Sequence, residues 1–433
     1  MPHRVSKIYT LNELVNVATS KSPYYKDLYR NVVTSLDSTP IELASLPIVD
    51  QKEFWAANTM DNNRLLTDDT NDGIVFRSGG TTGSPKFSIF TRQEWNTFTE
   101  IFGDGMAAGG LTAGEKIANY FYGGGLYASF LFIYKSLEYA SVPTVQYPIA
   151  GGTDPLEALK MMQDFNVGTM AGVPTGLMTL GQTYLAHKNE LPNLNINRLL
   201  FGGESLQADQ RRLLSEIFPG VKIVSIGYAS VDAGLLGYAD PTCEIDQHRV
   251  FGDSTMIEIV DHETEAVIHD VRKRGRVLVT NLTRTLMPII RYPAGDVAEW
   301  VDDPRTTKNP RFKLLGRGEE AARVGPVSLY FDDLDLVISP YKQQLSISGF
   351  QMEIYHREER DGLILRIAVP NPESITKADT TKILDGLFVQ RPMLRDWVAT
   401  KKVHATTIQW VHQDQLLTNS RTGKMRRIVD LRF

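Results

Sequence analysis

The rhythm of hydrophobic and polar positions changes several times along the chain. Residues 11–36 carry helical spacing, with Leu11, Leu14, Val15, Val17 and Ala18 followed by Tyr24, Tyr25 and Leu28, and predict a helical cap. Gly73-Ile74-Val75-Phe76 and Phe87-Ser88-Ile89-Phe90, with Thr91 behind the second, read as two strands. From Thr91 to about Phe218, helical segments alternate with short β-rich runs: Val142-Pro143-Thr144-Val145, Val167-Gly168-Thr169-Met170 and Leu199-Leu200-Phe201. That alternation predicts a parallel sheet covered on both faces. From Met256 to Trp300 the strands follow one another quickly (256–260, 266–268, 277–280 and 297–300) with polar turns between them, which predicts an antiparallel sheet or barrel. The polar, proline-bounded segment Asp302–Pro310, followed by Gly316-Arg317-Gly318, marks a domain boundary, set at 1–316 and 317–433. Beyond it, helical segments near Asp333–Ser339 and Ala378–Val389 mix with strands such as Leu363–Val369, as in a small α+β domain. The expected class is α/β: a large N-terminal domain of parallel α/β subdomains with a small β-barrel-like part, then a small α+β C-terminal domain. No internal repeat interrupts this order.

Composition narrows the picture. A chain of 433 residues with 42% hydrophobic and 22% charged residues has room for two or three domains and a large core. A net charge of -5 argues against a nucleic-acid partner. The one cysteine, Cys243, excludes an intrachain disulfide and fits a reducing cytosol. Met1–Lys7 carries no apolar run, and the longest apolar stretch, around Tyr127–Tyr134, is too short to span a bilayer. The expectation is a soluble cytoplasmic protein without a membrane partner. Cys243 and His248 stand five apart, and two ligands are too few for structural zinc, so none is expected.

Candidate chemistry starts at Ser78-Gly79-Gly80-Thr81-Thr82-Gly83-Ser84-Pro85-Lys86, which sets three glycines, four hydroxyls and a lysine between two strands. Glycines let backbone N–H groups turn toward an anion and the hydroxyls add donors, so the loop reads as a polyphosphate cradle or as a ligand-free hairpin loop. It does not open a helix, as a Walker A loop or a dinucleotide fingerprint must. Gly202-Gly203-Glu204 follows the apolar Leu199–Phe201 run, at the C-terminal end of a strand, where open α/β sheets bind ligands; a plain strand-to-helix turn is the alternative.

Together with Phe201–Leu206, Tyr228-Ala229-Ser230-Val231-Asp232-Ala233-Gly234, Arg291-Tyr292-Pro293-Ala294-Gly295-Asp296 and Gly316-Arg317, the loop resembles, in order, the core motifs of adenylate-forming enzymes. The branch it resembles is the phenylacetate–coenzyme A ligase group, on Ser22-Pro23-Tyr24-Tyr25, Leu46-Pro47-Ile48, Lys52 and Gly275–Thr280 leading through Met287–Ile290. The resemblance implies a ligase: a carboxylic acid attacks the α-phosphate of ATP to give an acyl-adenylate and pyrophosphate, and coenzyme A then takes the acyl group. It also implies a mobile C-terminal lid, turning near Arg317 between the half-reactions.

By the same resemblance, Ser78, Gly79, Gly80, Thr81, Thr82, Gly83 and Lys86 hold phosphates, and Gly202, Gly203 and Glu204 border adenine. Tyr228 stacks on adenine with Ala229 and Ser230 beside it, Asp296 accepts the ribose hydroxyls, and Arg317 reaches ribose or phosphate oxygens. Asp232 binds magnesium, and Lys424, within Asn419–Arg427, is the adenylating lysine; a solvated basic tail is the bland reading of that segment. Tyr122, Gly123, Gly124 and Gly125, with Gly172, line the acid pocket, where aromatic walls and a bare floor suit an aryl or heteroaryl acid; core packing of those aromatics is the alternative. The chain departs from the pattern in several places. Val231 replaces the common threonine, Asp232 a glutamate and Glu319 the pivot aspartate; Glu320–Gly325 is one residue short, and the proline ahead of the lysine loop is missing. Two further readings stand beside the coenzyme A ligase. One hands the acyl group to an amine or carrier protein in aromatic natural-product biosynthesis, for example of phenazine antibiotics; the other is a nucleotide-binding module that has lost turnover. The expected partners are a small-molecule carboxylic acid and, as an option, a second copy in a homodimer.

Overall fold

The computed structural model describes residues 7–32, 40–78, 86–206, 208–262, 264–317, 321–412, 415–417 and 426–432. The chain divides into two compact units, with the division between Leu314 and Leu315. In the larger unit, α1 (Leu11–Lys21) begins with a Thr10–Glu13 capping box, and α2 (Pro23–Leu28) begins with Ser22 as cap and Pro23 in the first turn. The described part of the predicted cap, residues 11–32, therefore carries two helices. The Tyr25 hydroxyl, buried, donates to the Pro288 carbonyl at 2.8 Å and fixes the cap on the core. Next come α3 (Gln51–Ala56) and the antiparallel hairpin of β1 (Gly73–Ser78) and β2 (Lys86–Thr91), where Ser78 faces Lys86. A Thr91–Glu94 capping box turns the chain straight into α4 (Arg92–Ala108).

There follow β3 (Lys116–Asn119), α5 (Ser129–Tyr139), β4 (Val145–Tyr147), α6 (Pro155–Asp164), β5 (Thr169–Gly172), α7 (Pro174–Ala186), β6 (Arg198–Phe201), α8 (Ala208–Ile217) and β7 (Lys222–Ser225). The five strands form a parallel sheet in the order β4-β3-β5-β6-β7. Two strands start later than the apolar runs suggest. Pro143 has no N–H for a ladder, so β4 starts at Val145. The Val167 N–H is spent closing α6, donating to the Met162 carbonyl at 2.8 Å, so β5 starts at Thr169.

A seven-stranded sheet completes this unit: β8 (Tyr228–Ser230), β9 (Gly234–Tyr238), β10 (Gln247–Val250), β11 (Thr255–Val260), β12 (Arg274–Asn281), β13 (Tyr292–Trp300) and β14 (Arg311–Arg317), in the order β11-β12-β13-β14-β10-β9-β8. Here three expectations are corrected. Residues 266–268 make one isolated bridge, Val260 with Val267, because the Ile268 carbonyl is taken by the Trp300 indole N–H at 2.9 Å. β13 starts at Tyr292, five residues before Val297, so Gly295 and Asp296 lie within a strand. Asp302–Pro310 is no boundary; it is the link between β13 and β14, closed by Val301 N–H to Arg311 carbonyl at 2.9 Å and by the Arg311–Asp302 pair.

The smaller unit opens with the hairpin β15 (Ala321–Val324) and β16 (Val327–Tyr330), then α9 (Phe331–Ile338). Its four-stranded sheet runs β19-β18-β17-β20, built from β17 (Gly349–Arg357), β18 (Arg360–Ala368), β19 (Thr407–Val411) and β20 (Ile428–Asp430). Two helices precede β19: α10 (Lys377–Gln390) and α11 (Pro392–Ala399), the latter absent from the sequence reading. Pro392 opens α11, and Leu394 and Trp397 are its buried positions. Among the described residues no helix is long and apolar enough to cross a membrane.

Candidate functional site

In the parallel sheet the order reverses between β3 and β5: the chain steps out to β4, then returns past β3. Open α/β sheets bind ligands at such a reversal, outside the carboxyl ends of the strands. Registers place those ends side by side, with Asn119 opposite Ala171, Gly172 opposite Phe201 and Phe201 opposite Ser225. The segments that emerge there are 120–127, 173–175, 202–204 and 226–227. Gly124 and Gly125 hold φ of 90° and 57°, which suits residues without a Cβ. Gly172 is buried, and a Cβ built on it would meet only ordinary contact, Leu177 at 3.5 Å. Local crowding therefore does not demand a glycine there.

Glu204 has a part that the sequence did not show. Its carboxylate accepts from the Thr175 N–H at 3.2 Å and the Thr175 hydroxyl at 2.7 Å. Thr175 lies in the first turn of α7, whose own N-cap residue, Val173, supplies no side-chain bond. A carboxylate suits that helix end, so Glu204 ties the β6 turn to the start of α7. Burial, with the Glu204 carboxylate second, pushes the Tyr122 phenol up to about 12. The predicted pocket-wall tyrosine thus feels the charge of Glu204.

Around the antiparallel sheet, side chains from residues distant in sequence bond one another. The Tyr228 hydroxyl donates to Asp296. The Tyr228 ring lies 5.8 Å from His248 and 6.1 Å from Phe312. The Ser88 hydroxyl, on β2, donates to Asp232 Oδ1 at 3.0 Å. Ser230 Oγ accepts the Ala233 N–H at 2.9 Å, which shapes the turn carrying Val231 and Asp232. Beneath that turn the Arg284 guanidinium donates to the carbonyls of Val231 at 3.0 Å and Asp232 at 3.3 Å. Ser88 and Arg284 were missed in the sequence; the available signals were a hydroxyl inside an apolar strand and a lone charge in Leu282-Thr283-Arg284-Thr285-Leu286.

Arg291 belongs to the motif of Asp296 yet holds the scaffold. Buried, it grips the Glu258 carboxylate at 2.9 and 3.0 Å and donates to the carbonyls of Ala44 and Leu46. That contact explains why Leu46-Pro47-Ile48 accompanies Arg291-Tyr292. Burial still raises the Glu258 carboxyl above its ordinary value, against the pull of Arg291. His248 Nε2 pairs with Ser225 Oγ at 2.9 Å. Among the described residues no group of three or more His, Cys, Asp or Glu is placed to hold a metal.

Of the phosphate loop, Ser78 and Lys86 are described as facing strand residues, and the Lys86 ammonium lies 5.4 Å from the Trp55 ring centroid. Gly79, Gly80, Thr81, Thr82 and Gly83 lie outside the described residues, and so does Lys424. Arg317 ends β14, directly after Gly316 at φ 121°. The flanks of the Lys424 segment are described. The Arg426 N–H donates to the Leu417 carbonyl at 2.9 Å, and the fully buried Gln351 amide bonds the Leu417 N–H and the carbonyls of both Leu417 and Arg426.

No protein-family model matches the chain. A phenylacetate–coenzyme A ligase of Thermus thermophilus is 24% identical over 369 residues, covering 83% of this chain and 80% of that protein. A second, from Aromatoleum evansii, is 24% identical over 360 residues, covering 83% and 78%. On these relatives the chain is similar to phenylacetate–coenzyme A ligases. Its fold matches that of a solved 2-hydroxyisobutyryl-CoA ligase in complex with 2-HIB-AMP and CoA, with a TM-score of 0.73 at 18% identity, over 97% of this chain and 88% of that one. The ligase-like chain thus carries the Thr175–Glu204 pair at strand ends of the parallel sheet and, separately, the bonds Tyr228–Asp296 and Ser88–Asp232.

Proposed function

We propose that the protein activates a carboxylic acid with ATP as an acyl-adenylate, releasing pyrophosphate, and passes the acyl group to coenzyme A. The observation that carries this reading is the hydrogen bonding of its two candidate carboxylates, Asp296 by the Tyr228 hydroxyl and Asp232 by the Ser88 hydroxyl. Asp296 offers two acceptor oxygens to the ribose diol, and the Tyr228 hydroxyl orients that carboxylate while its ring presents a flat face to adenine. The Gly202-Gly203 backbone can approach a base closely, Gly203 holding φ of 81°. Tyr122, Gly123, Gly124, Gly125 and Gly172 favour an aryl or heteroaryl acid, with a phenol wall over a floor without side chains.

The residues fit a magnesium ion. Asp232 is a half-buried carboxylate already oriented by Ser88, and magnesium takes one or two carboxylates and fills the rest of its shell with phosphate oxygens and water. Bound there by Asp232, the ion would neutralise phosphate charge. The chain itself orients the carboxylate, and Lys424 supplies a point charge for the carboxylate and α-phosphate oxygens in the first half-reaction.

Pyrophosphate release from ATP and magnesium, measured against aryl, heteroaryl and aliphatic acids with and without coenzyme A, tests the reading. Acid-dependent release with consumption of coenzyme A is expected. Release without its consumption would move the acceptor to an amine or a carrier protein. ATP binding with no release for any acid would sink the ligase reading.

A further inference from the structure

Arg284 belongs to none of the ordered motifs, yet it heads the fully buried side chains by size among the described residues, with 0% exposure. One terminal nitrogen donates to the carbonyls of Val231 and Asp232, and the other donates to the Ile89 carbonyl at 3.2 Å. The guanidinium carbon lies 4.0 Å from the centroid of Phe90. A guanidinium remains cationic at neutral pH. An apolar side chain of similar volume would fill this space without the cost of desolvating a cation. A need other than filling keeps the charge here.

The partners of Arg284 show what it joins. Ile89 and Phe90 are on β2, the strand that leaves the glycine-hydroxyl loop, and Val231 and Asp232 form the turn after β8. Ser88, the neighbour of Ile89 and also 0% exposed, bonds the Asp232 carboxylate itself. β2 therefore grips the same turn twice, by its backbone through Arg284 and by the carboxylate through Ser88. A carboxylate with one oxygen committed to a buried hydroxyl cannot rotate without breaking that bond, and partners of this kind set how a ligand carboxylate faces a cation.

We infer that Arg284 and Ser88 are positioning residues that fix the Asp232 carboxylate toward a nucleotide-bound divalent cation, joining that turn to the strand leaving the phosphate loop. The inference rests on the functional reading of Asp232. A role in packing alone would lower stability and weaken every ligand alike. A positioning role changes how much the cation strengthens nucleotide binding.

The test is the Kd of the full-length protein for ATP, without any acid, in the presence of magnesium and in its absence with chelator. The readout is the ratio of the two constants. Asp232→Asn is expected to remove the tightening by magnesium. Arg284→Lys should reduce it about 10-fold, and Ser88→Ala on the order of fivefold, with metal-free affinity within about twofold of the parent in both, since neither group is assigned to bind the nucleotide. Loss of the tightening in Asp232→Asn with the parental ratio in Ser88→Ala would overturn the inference and leave the functional reading standing. An unchanged ratio in Asp232→Asn, or no tightening in the parent, would overturn the reading of Asp232 itself. If Arg284→Lys does not fold, Ser88→Ala decides, because it deletes one oxygen and leaves the buried cation in place.

Discussion

The parallel and antiparallel sheets of the larger unit build their polar ends by different means. At the parallel end, the carboxyl ends of four strands lie level and loops leave them together, so the cluster is mostly backbone, glycine and phenol, with the Thr175–Glu204 bond as its cross-link. Around the antiparallel sheet, Tyr228 bonds Asp296, 68 residues on, and Ser88 of the β1–β2 hairpin bonds Asp232, 144 residues on, in a turn whose carbonyls are held by an arginine with no exposure at all. Topology accounts for the contrast. A parallel sheet sends all its carboxyl ends one way and gathers loops there, whereas an antiparallel sheet alternates its strand ends, and here residues of different strands meet through their side chains. Changes at the second end should therefore cost stability as well as function, and changes at the first should fall mainly on function.

The strongest way to break this contrast is Arg284→Met, which removes the buried cation and leaves the carbonyls of Val231, Asp232 and Ile89 without their donor. A loss of about 3–5 kcal/mol is expected in urea unfolding. A loss under about 1 kcal/mol would show that the clip contributes little.

pH gives the next largest effect. Burial pushes the His248 pKa down to about 4, beside Tyr228 and Ser225. The unfolded chain takes up this proton near pH 6.5 and the folded chain only near 4, so the contribution is complete above pH 6.5 and is lost as pH falls from there toward 4. The gap amounts to about 3 kcal/mol. Chemical denaturation of the parent and of His248→Gln at intervals over that range should give a steeper loss in the parent. Equal slopes would place the histidine in water rather than in the sheet.

At the parallel end the expected effect is smaller. Thr175→Val deletes the hydroxyl that donates to Glu204 and keeps the shape, at about 1–2 kcal/mol in stability, because the Thr175 N–H still reaches the carboxylate. Selection among acids in pyrophosphate release should shift in this variant more than overall stability does. A cost comparable to that of Arg284→Met would erase the difference between the two ends.

Much of this could be read along the chain. The switch from alternating helix and strand to strand after strand is visible in the sequence, as are the glycine-hydroxyl loop and the turn at Gly202. The errors are local and have local causes: Pro143 and the closure of α6 delay two strands, the Trp300 indole takes a carbonyl from residues 266–268, and a polar loop between β13 and β14 has the composition of a linker. The α11 helix was missed because only eight residues carry its two buried positions, too few for a clear period.

What the sequence determined by itself was element type, the order of the chemistry-bearing segments and the kind of atoms they carry, since burial repeats every two or 3.6 residues and turn residues act locally. What the tertiary structure decided was which of those atoms meet. The reversal between β3 and β5, the Tyr228–Asp296 bond, the Ser88–Asp232 bond and the Arg284 clip all follow from strand order and register. No local pattern encodes contact between residues 52 to 195 positions apart; only the packed structure brings them within hydrogen-bond distance.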